Sequence, residues 1–289
     1  MNIQKSYQNN KGILYLVPTP IGNLEDMTFR AVRILNEANI IAAEDTRNTR
    51  KLLTHFEIQT PMVSYHEHNK ESSGRHLIAQ LKEGKSIALV TDAGTPAISD
   101  PGFELVRDAV NEGISVVSLP GANAALTALT ASGIQPQPFY FYGFLPRKKK
   151  ERNSELEQLK KLNATIIFYE APHRIKETLS SLNEKFGNRS AVLARELTKK
   201  FEEYIRGNLY ELLNWINNHE IRGEFCIIVE GNNENEEDGN EQFWESLDIK
   251  QHVEYYIAQG DFPKEAIKKA AKDRGMGKRE VYKVYHMDQ

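Results

Sequence analysis

A single cysteine, Cys226, stands in a chain of 289 residues, inside the apolar run Phe225-Cys226-Ile227-Ile228-Val229. A lone thiol excludes an internal disulfide and a thiolate metal cluster, and it reads as a buried structural residue in a reducing compartment. Long apolar runs are missing as well. None approaches the ~20 residues of a membrane-spanning helix, and Met1 to Lys11 is polar, without the apolar core of a secretion signal. A soluble, cytoplasmic protein is expected. Charge of one sign is also scarce: the net charge is −3 and the pI about 6.3. A surface for a polyanion therefore has to come from local clusters of Lys and Arg. Neither G-x-G-x-x-G after a strand nor G-x-x-x-x-G-K-[ST] occurs, which removes the dinucleotide fingerprint and the phosphate-cradling loop. Ser99, Ser118 and Cys226 lack a nucleophile-elbow setting, which weighs against covalent catalysis. His66 and His68 would share one face of a strand, but no Cys or third ligand lies nearby, and no metal is expected.

What is present is a regular alternation of short apolar strands and amphipathic helices. Ile13-Leu14-Tyr15-Leu16-Val17, Ile40-Ile41-Ala42-Ala43, Met62 to Asn69, Ser86 to Val90 and Ile114 to Leu119 read as strands. Helices near 28–38, 49–55, 74–83 and 103–111, and one opening at Pro120-Gly121-Ala122, alternate with them. This pattern predicts a doubly wound parallel sheet, and such sheets bind ligands outside the carboxyl ends of their strands. The richest strand end is Thr91-Asp92-Ala93-Gly94-Thr95-Pro96-Ala97-Ile98-Ser99-Asp100-Pro101-Gly102, with two Gly, two Pro and two Asp.

Ser132 to Pro138 breaks the alternation and reads as a linker. A second α/β unit, of mixed strand direction, follows it through Val229. We therefore expect an N-terminal α/β domain at 1–133 and a second at 134–231 that completes a cleft. An acidic linker beginning at Gly231 and a small helical module, together 232–289, follow. Within that module Pro263 to Lys272, the turn Gly275-Met276-Gly277 and Lys278 to Tyr285 have the outline of a helix-turn-helix. From Asp261 onward it carries eight Lys or Arg against five Asp or Glu, compatible with nucleic-acid contact or with an ordinary solvated surface.

The strand ends supply small residues and backbone groups more than catalytic side chains: Pro20-Ile21-Gly22, Ala93-Gly94-Thr95 and Ala122-Asn123-Ala124. Such an edge suits S-adenosylmethionine, whose activated methyl needs alignment more than a metal or a covalent intermediate. Seven motifs occur in order: Pro18-Thr19-Pro20-Ile21-Gly22-Asn23-Leu24, Ala43-Glu44-Asp45-Thr46-Arg47, the Asp92 to Gly102 turn, Pro120-Gly121-Ala122, Gly143-Phe144-Leu145-Pro146, Glu170-Ala171-Pro172-His173-Arg174 and Arg195-Glu196-Leu197-Thr198-Lys199. Together they resemble the bacterial ribosomal RNA small subunit methyltransferase I family of the tetrapyrrole-methylase superfamily, across nearly the whole chain.

The resemblance implies two α/β domains with S-adenosylmethionine in the cleft between them, and a homodimer. It implies 2′-O-methylation of a cytidine in the decoding region of 16S rRNA within the small ribosomal subunit. It also implies cofactor contacts at Ile21 or its neighbours Pro20 and Gly22, at Ala93, Gly94, Thr95 and Ile98, at Asn123 and Ala124, and at Tyr169 and Leu197. Pro18 and Pro20 replace the glycines usual in the superfamily's first loop. On the acceptor side Glu170 with His173, Asp100, and Asp45 beside Arg47 are candidates for a positioned base. Interdomain ion pairs or holding of backbone amides would explain several of them equally. RNA contact is expected from Arg147 to Arg152, from Lys199-Lys200 and from the C-terminal helices through phosphate neutralisation. A small-molecule methylase of the same superfamily and a non-catalytic RNA-binding protein are the competing readings.

Overall fold

The computed structural model describes residues 3–5, 12–232, 244 and 247–286. The first sheet contains β1 (Ile13–Leu16), β2 (Ile40–Ala43), β3 (Met62–Ser64), β4 (Ile87–Val90) and β5 (Ser115–Ser118), all parallel, in the order β3-β2-β4-β1-β5. Period-2 alternation splits its side chains into two cores. On one face Val17, Ile41, Ala43, Ala88 and Val90 pack against Ile34 and Leu35 of α1 (Phe29–Glu37) and Leu53 of α2 (Thr46–His55). On the other, Leu14, Leu16, Ala42, Ile87 and Leu89 meet Leu77 and Leu81 of α3 (Lys70–Lys82) and Leu105 and Ala109 of α4 (Phe103–Asn111). Burial on both faces explains why these strands read as continuous apolar runs.

The second sheet is mixed, as expected. It contains β6 (Phe139–Phe144), β7 (Thr165–Glu170), β8 (Ser190–Arg195), β9 (Glu203–Asn208) and β10 (Phe225–Val229), ordered β6-β7-β10-β8-β9. Only β6 and β7 run parallel; β10 is antiparallel to both β7 and β8. One face packs on α6 (Lys149–Leu159), α7 (Ile175–Phe186) and α8 (Leu209–Asn218) through Leu156, Leu179, Leu182 and Leu212. The other receives α5 (Ala124–Ser132), whose Ala125, Ala128 and Leu129 lie on Ile167, Val192, Ala194, Cys226 and Ile228. The alanines let α5 approach closely. Each anticipated α/β segment thus carries one sheet, and both sheets share one compact unit spanning Met1–Asn232.

Several elements differ from the sequence expectation. β3 stops at Ser64, because Asn69 closes a turn by accepting from the His66 amide at 2.8 Å. α3 starts at Lys70 instead of Gly74, and α2 at Thr46, where Asp45 caps it. β9 was not anticipated: it is an edge strand, half-buried, and its Gly, Asn and charged residues hide the alternation. The basic run at 147–152 opens α6, and Arg152 turns inward with 2% exposure, donating to Ser181 Oγ at 3.1 Å and to the Arg147 carbonyl at 3.3 Å. It is unavailable to a phosphate, while Arg147 to Lys150 stay exposed.

The second compact unit, Asn233–Gln289, contains α9 (Ile249–Ala258), α10 (Pro263–Asp273) and α11 (Lys278–His286) around Val253, Ala266, Ile267, Ala270, Ala271 and Val281. α9 was not anticipated; α10, the glycine turn and α11 match the expected outline. Of the acidic linker, 233–241 lies outside the described residues.

Candidate active site

The loops at the carboxyl edge of the first sheet are tied to one another before they meet any ligand. Thr19, after β1, and Gly94, after β4, exchange both backbone hydrogen bonds at 2.9 and 3.0 Å. Thr95 Oγ1 donates to the Ala122 carbonyl at 3.1 Å, joining the loop after β4 to the loop after β5. Gly94 has φ +81°, a left-handed conformation that L side chains resist, and a Cβ there would fall 3.4 Å from Ile21 Cγ2. Asn123 caps α5, its Oδ1 accepting from the Leu126 amide at 3.0 Å.

These loops floor a cleft of about 370 Å³ whose other wall comes from the second sheet. Of the expected cofactor contacts, Ile21, Ala93, Gly94, Thr95, Ile98, Asn123, Ala124, Tyr169 and Leu197 line it. Pro20 and Gly22 do not. Gly22 lies beneath Lys199, where a Cβ would come 2.6 Å from Lys199 Cγ. Tyr169 Oη accepts from the Ala125 amide at 3.0 Å, and burial pushes its phenol above the usual range, so it stays protonated. Backbone strain gathers at the rim: Ala97, Glu196 and Thr198 have φ of +65°, +51° and +67°. Non-glycine residues held this way concentrate where function constrains the chain.

The acceptor candidates separate sharply. Asp100 lines the cleft, and its carboxyl is raised to about 6, first by burial and then by the charges of Glu44, Asp92 and Glu224, with Thr91 pulling the other way. Glu170 also borders the cleft but is 1% exposed, and its carboxylate accepts from Thr178 Oγ1 at 2.6 Å and the Ala171 amide at 2.8 Å, with Arg174 Nε at 3.4 Å. Arg174 in turn donates to the Leu145 carbonyl at 2.8 Å. Asp45 caps α2 and grips Arg47 at 3.1 and 2.7 Å outside the cleft. That guanidinium holds the Asp45 carboxyl at about 2. His173 is exposed in the turn after β7, away from the lining.

Sequence reasoning missed Glu44, Glu224 and Phe144 as lining residues. Glu44 belongs to a strand-end motif already noted, and accepts from Thr91 Oγ1 at 2.6 Å and the Asp92 amide at 3.3 Å. Glu224 carried no signal: β10 runs antiparallel, so its beginning is level with the ends of β7 and β8, Phe225 pairing with both Glu170 and Arg195. Cys226 lies in the lining, its thiol pushed up to about 12 by burial, which makes it no nucleophile at neutral pH. His66 and His68 have ring centroids 6.0 Å apart, and among the described residues no group of three or more potential ligands could hold a metal.

Residues 13–213 match the family model of tetrapyrrole (corrin/porphyrin) methylases. The ribosomal RNA small subunit methyltransferase I of Bacillus subtilis strain 168 is 64% identical over 282 residues, covering 98% of this chain and 97% of that protein. Its namesake in Halalkalibacterium halodurans is 59% identical over 290 residues and all of both chains. Among solved structures, uroporphyrin-III C-methyltransferase from Thermus thermophilus complexed with S-adenyl homocysteine shares the fold at a TM-score of 0.55. It is 20% identical and covers 76% of this chain and 97% of its own. Extended identity over both chains, on a methylase fold, places this chain in the ribosomal RNA small subunit methyltransferase I family of the tetrapyrrole methylases.

Proposed function

We propose that this protein transfers a methyl group from S-adenosylmethionine to the ribose 2′-hydroxyl of a cytidine in the decoding region of 16S rRNA, acting in the cytoplasm as a homodimer on the small ribosomal subunit. The observation that carries the reading is the cleft itself: a preorganised floor of small residues facing a half-buried carboxylate among other carboxylates. The family's name supports the RNA substrate.

The lining fits S-adenosylmethionine. Its volume is in the range of small-ligand sites. Ile21, Ile98 and Leu197 offer apolar surface to a base. The crowd of Glu44, Asp92 and Glu224 favours a ligand carrying hydroxyls and positive charge. When bound, the cofactor supplies a methyl group activated by its sulfonium charge. The protein orients the acceptor hydroxyl, and Asp100 takes up its proton. With a carboxyl at about 6, Asp100 is ionised at neutral pH yet more basic than an ordinary aspartate. Glu170 is already engaged on three sides and serves to hold the Ala171 to Arg174 turn.

Contact with RNA has a basis near the cleft. The loop carrying Glu44 leads directly into α2, and an open depression of about 560 Å³ runs along that helix between Thr46, Arg47, Arg50, Lys51 and Thr54. Cations on this stripe would meet phosphates flanking the acceptor. The test is methyl transfer to assembled small subunits and to naked 16S rRNA, with the product mapped. We expect 2′-O-methylcytidine at one position. Methylation of a nucleobase or of a porphyrinoid, or absence of S-adenosylmethionine binding in calorimetry, would overturn the reading.

A further inference from the structure

The motif Gly143-Phe144-Leu145-Pro146 finds no role in cofactor binding or proton transfer, yet the second sheet distorts to present it. Along β6 and β7 the register runs Phe139 to Thr165, Tyr140 to Ile166 and Phe141 to Ile167, then slips by one residue, so that Gly143 faces Phe168 and Phe144 faces Tyr169. Ile166 and Phe168 belong to the helix-covered core, whereas Ile167 and Tyr169 face α5 and the cleft. In a regular ladder Phe144 would pair with Glu170 and share the side of Phe168. The bulge moves it to the other face. Gly143, at φ +81°, makes the irregularity possible.

The outcome is a large aromatic ring that is 52% exposed yet lines the cleft, braced edge-on against Tyr169 at 5.6 Å between centroids. Leu145, the next residue, is buried in the opposite core. The ring shares the cleft with Asp100, and the backbone that carries it runs beside the Asp100 loop, where a Cβ placed on Gly143 would lie 3.7 Å from Ser99 Oγ. An exposed aromatic costs solubility, and its ring face has one well-known use beside a site that must hold a single nucleotide. Chemistry on a nucleotide within folded RNA requires its base to leave the stack, and aromatic side chains receive such bases.

We propose that Phe144 is the stacking platform for the nucleobase of the acceptor nucleotide, fixing the ribose over Asp100. The proposal rests on the RNA-methylation reading above. Its test compares Phe144→Ala, Phe144→Leu and Phe144→Trp in the full chain. Calorimetry with S-adenosylhomocysteine, kcat and KM on small subunits, and oligomeric state by light scattering are the readouts. Loss of the ring should lower kcat/KM roughly 5- to 150-fold in the Ala and Leu variants, with cofactor affinity unchanged, whereas Trp keeps activity within about threefold. In the Trp variant, a single-stranded oligoribonucleotide spanning the acceptor cytidine should quench emission beyond that of wild type, where Trp215 and Trp244 supply the background. A fully active Leu variant, cofactor affinity falling in step with activity, or dissociation of a dimer would each overturn the platform. A wild-type enzyme that binds cofactor but methylates no ribose would sink the function reading instead, and the quenching measurement would then decide the platform alone.

Discussion

The turns after β2 and β4 begin alike, each with a buried apolar strand running into a polar loop that contains aspartates, and they end with opposite electrostatics. Asp45 finds an arginine two residues on, accepts three hydrogen bonds from it and has a carboxyl held at about 2. Asp100 has no such partner. It sits half-buried among Glu44, Asp92 and Glu224, with its carboxyl lifted to about 6. The same residue type at the same kind of strand end therefore becomes a helix cap in one loop and, in the function we propose, the proton acceptor in the other. Burial and the sign of the neighbours decide which.

The largest expected effect is on the Asp100 side. Asp100→Asn should lower methyl transfer by about 10²- to 10⁴-fold, the usual worth of a positioned base, with cofactor affinity nearly unchanged. In the wild type kcat/KM should rise with pH through about 6 and then level; the variant should lack that limb. Stability should move the other way. The fold raises this carboxyl from 3.8 to about 6, so the native state holds the proton more tightly than the unfolded chain does. The resulting stabilisation is complete below 3.8 and is lost as pH rises through about 6. At neutral pH the Asn variant should melt higher, by about 2–4 °C after allowing for partial exposure, and the gain should vanish in acid. Identical melting of the two proteins across that range would mean that Asp100 is not desolvated, and the contrast between the turns would fall.

A third strand end sharpens the comparison. Glu170 is as buried as any core residue, yet its hydrogen bonds from Thr178 and Ala171 satisfy it. Thr178→Val removes the 2.6 Å bond while keeping the shape of the side chain. Urea denaturation should show a loss of about 1–3 kcal/mol, the cost of leaving a buried acceptor short of a partner. Methyl transfer per folded molecule should stay level. A loss of activity comparable to that of Asp100→Asn, without destabilisation, would move Glu170 to the acceptor.

Much of this was legible from residue order alone. The parallel sheet followed from the regular alternation of short apolar strands and helices, and Ala93-Gly94-Thr95 and Asn123-Ala124 from small residues at strand ends. What hid was whatever depends on strand direction or register. Glu224 reaches the cleft because β10 runs backwards, and Phe144 because β6 slips by one residue. Neither leaves a periodic trace. Arg152 misled for the opposite reason: it looked like part of a basic surface, but it falls on the same helical stripe as Leu156 and Leu159, which turns it inward. The rank among five acceptor candidates was also invisible, since Asp45 and Asp100 differ by what surrounds them in space.

The smallest effect belongs to Asp45. Asp45→Ala deletes the acceptor for the Arg47 amide and frees the guanidinium, so α2 should fray at its first turn and the melting temperature fall slightly. Because the folded carboxyl lies near 2 against 3.8 unfolded, its contribution is present above 3.8 and disappears as pH falls through about 2. Salt should shrink it too, as Arg47 is 87% exposed. Asp45→Asn separates the two components, since an amide oxygen still caps the helix while the ion pair is gone. It should recover most of the lost melting temperature in high salt, where the pair was already screened. Methyl transfer should fall less than about tenfold in either variant, below the range of a general base. A loss matching that of Asp100→Asn would join both turns into one acceptor site, and a carboxylate clamped by arginine at its own helix start would then have to reach the ribose.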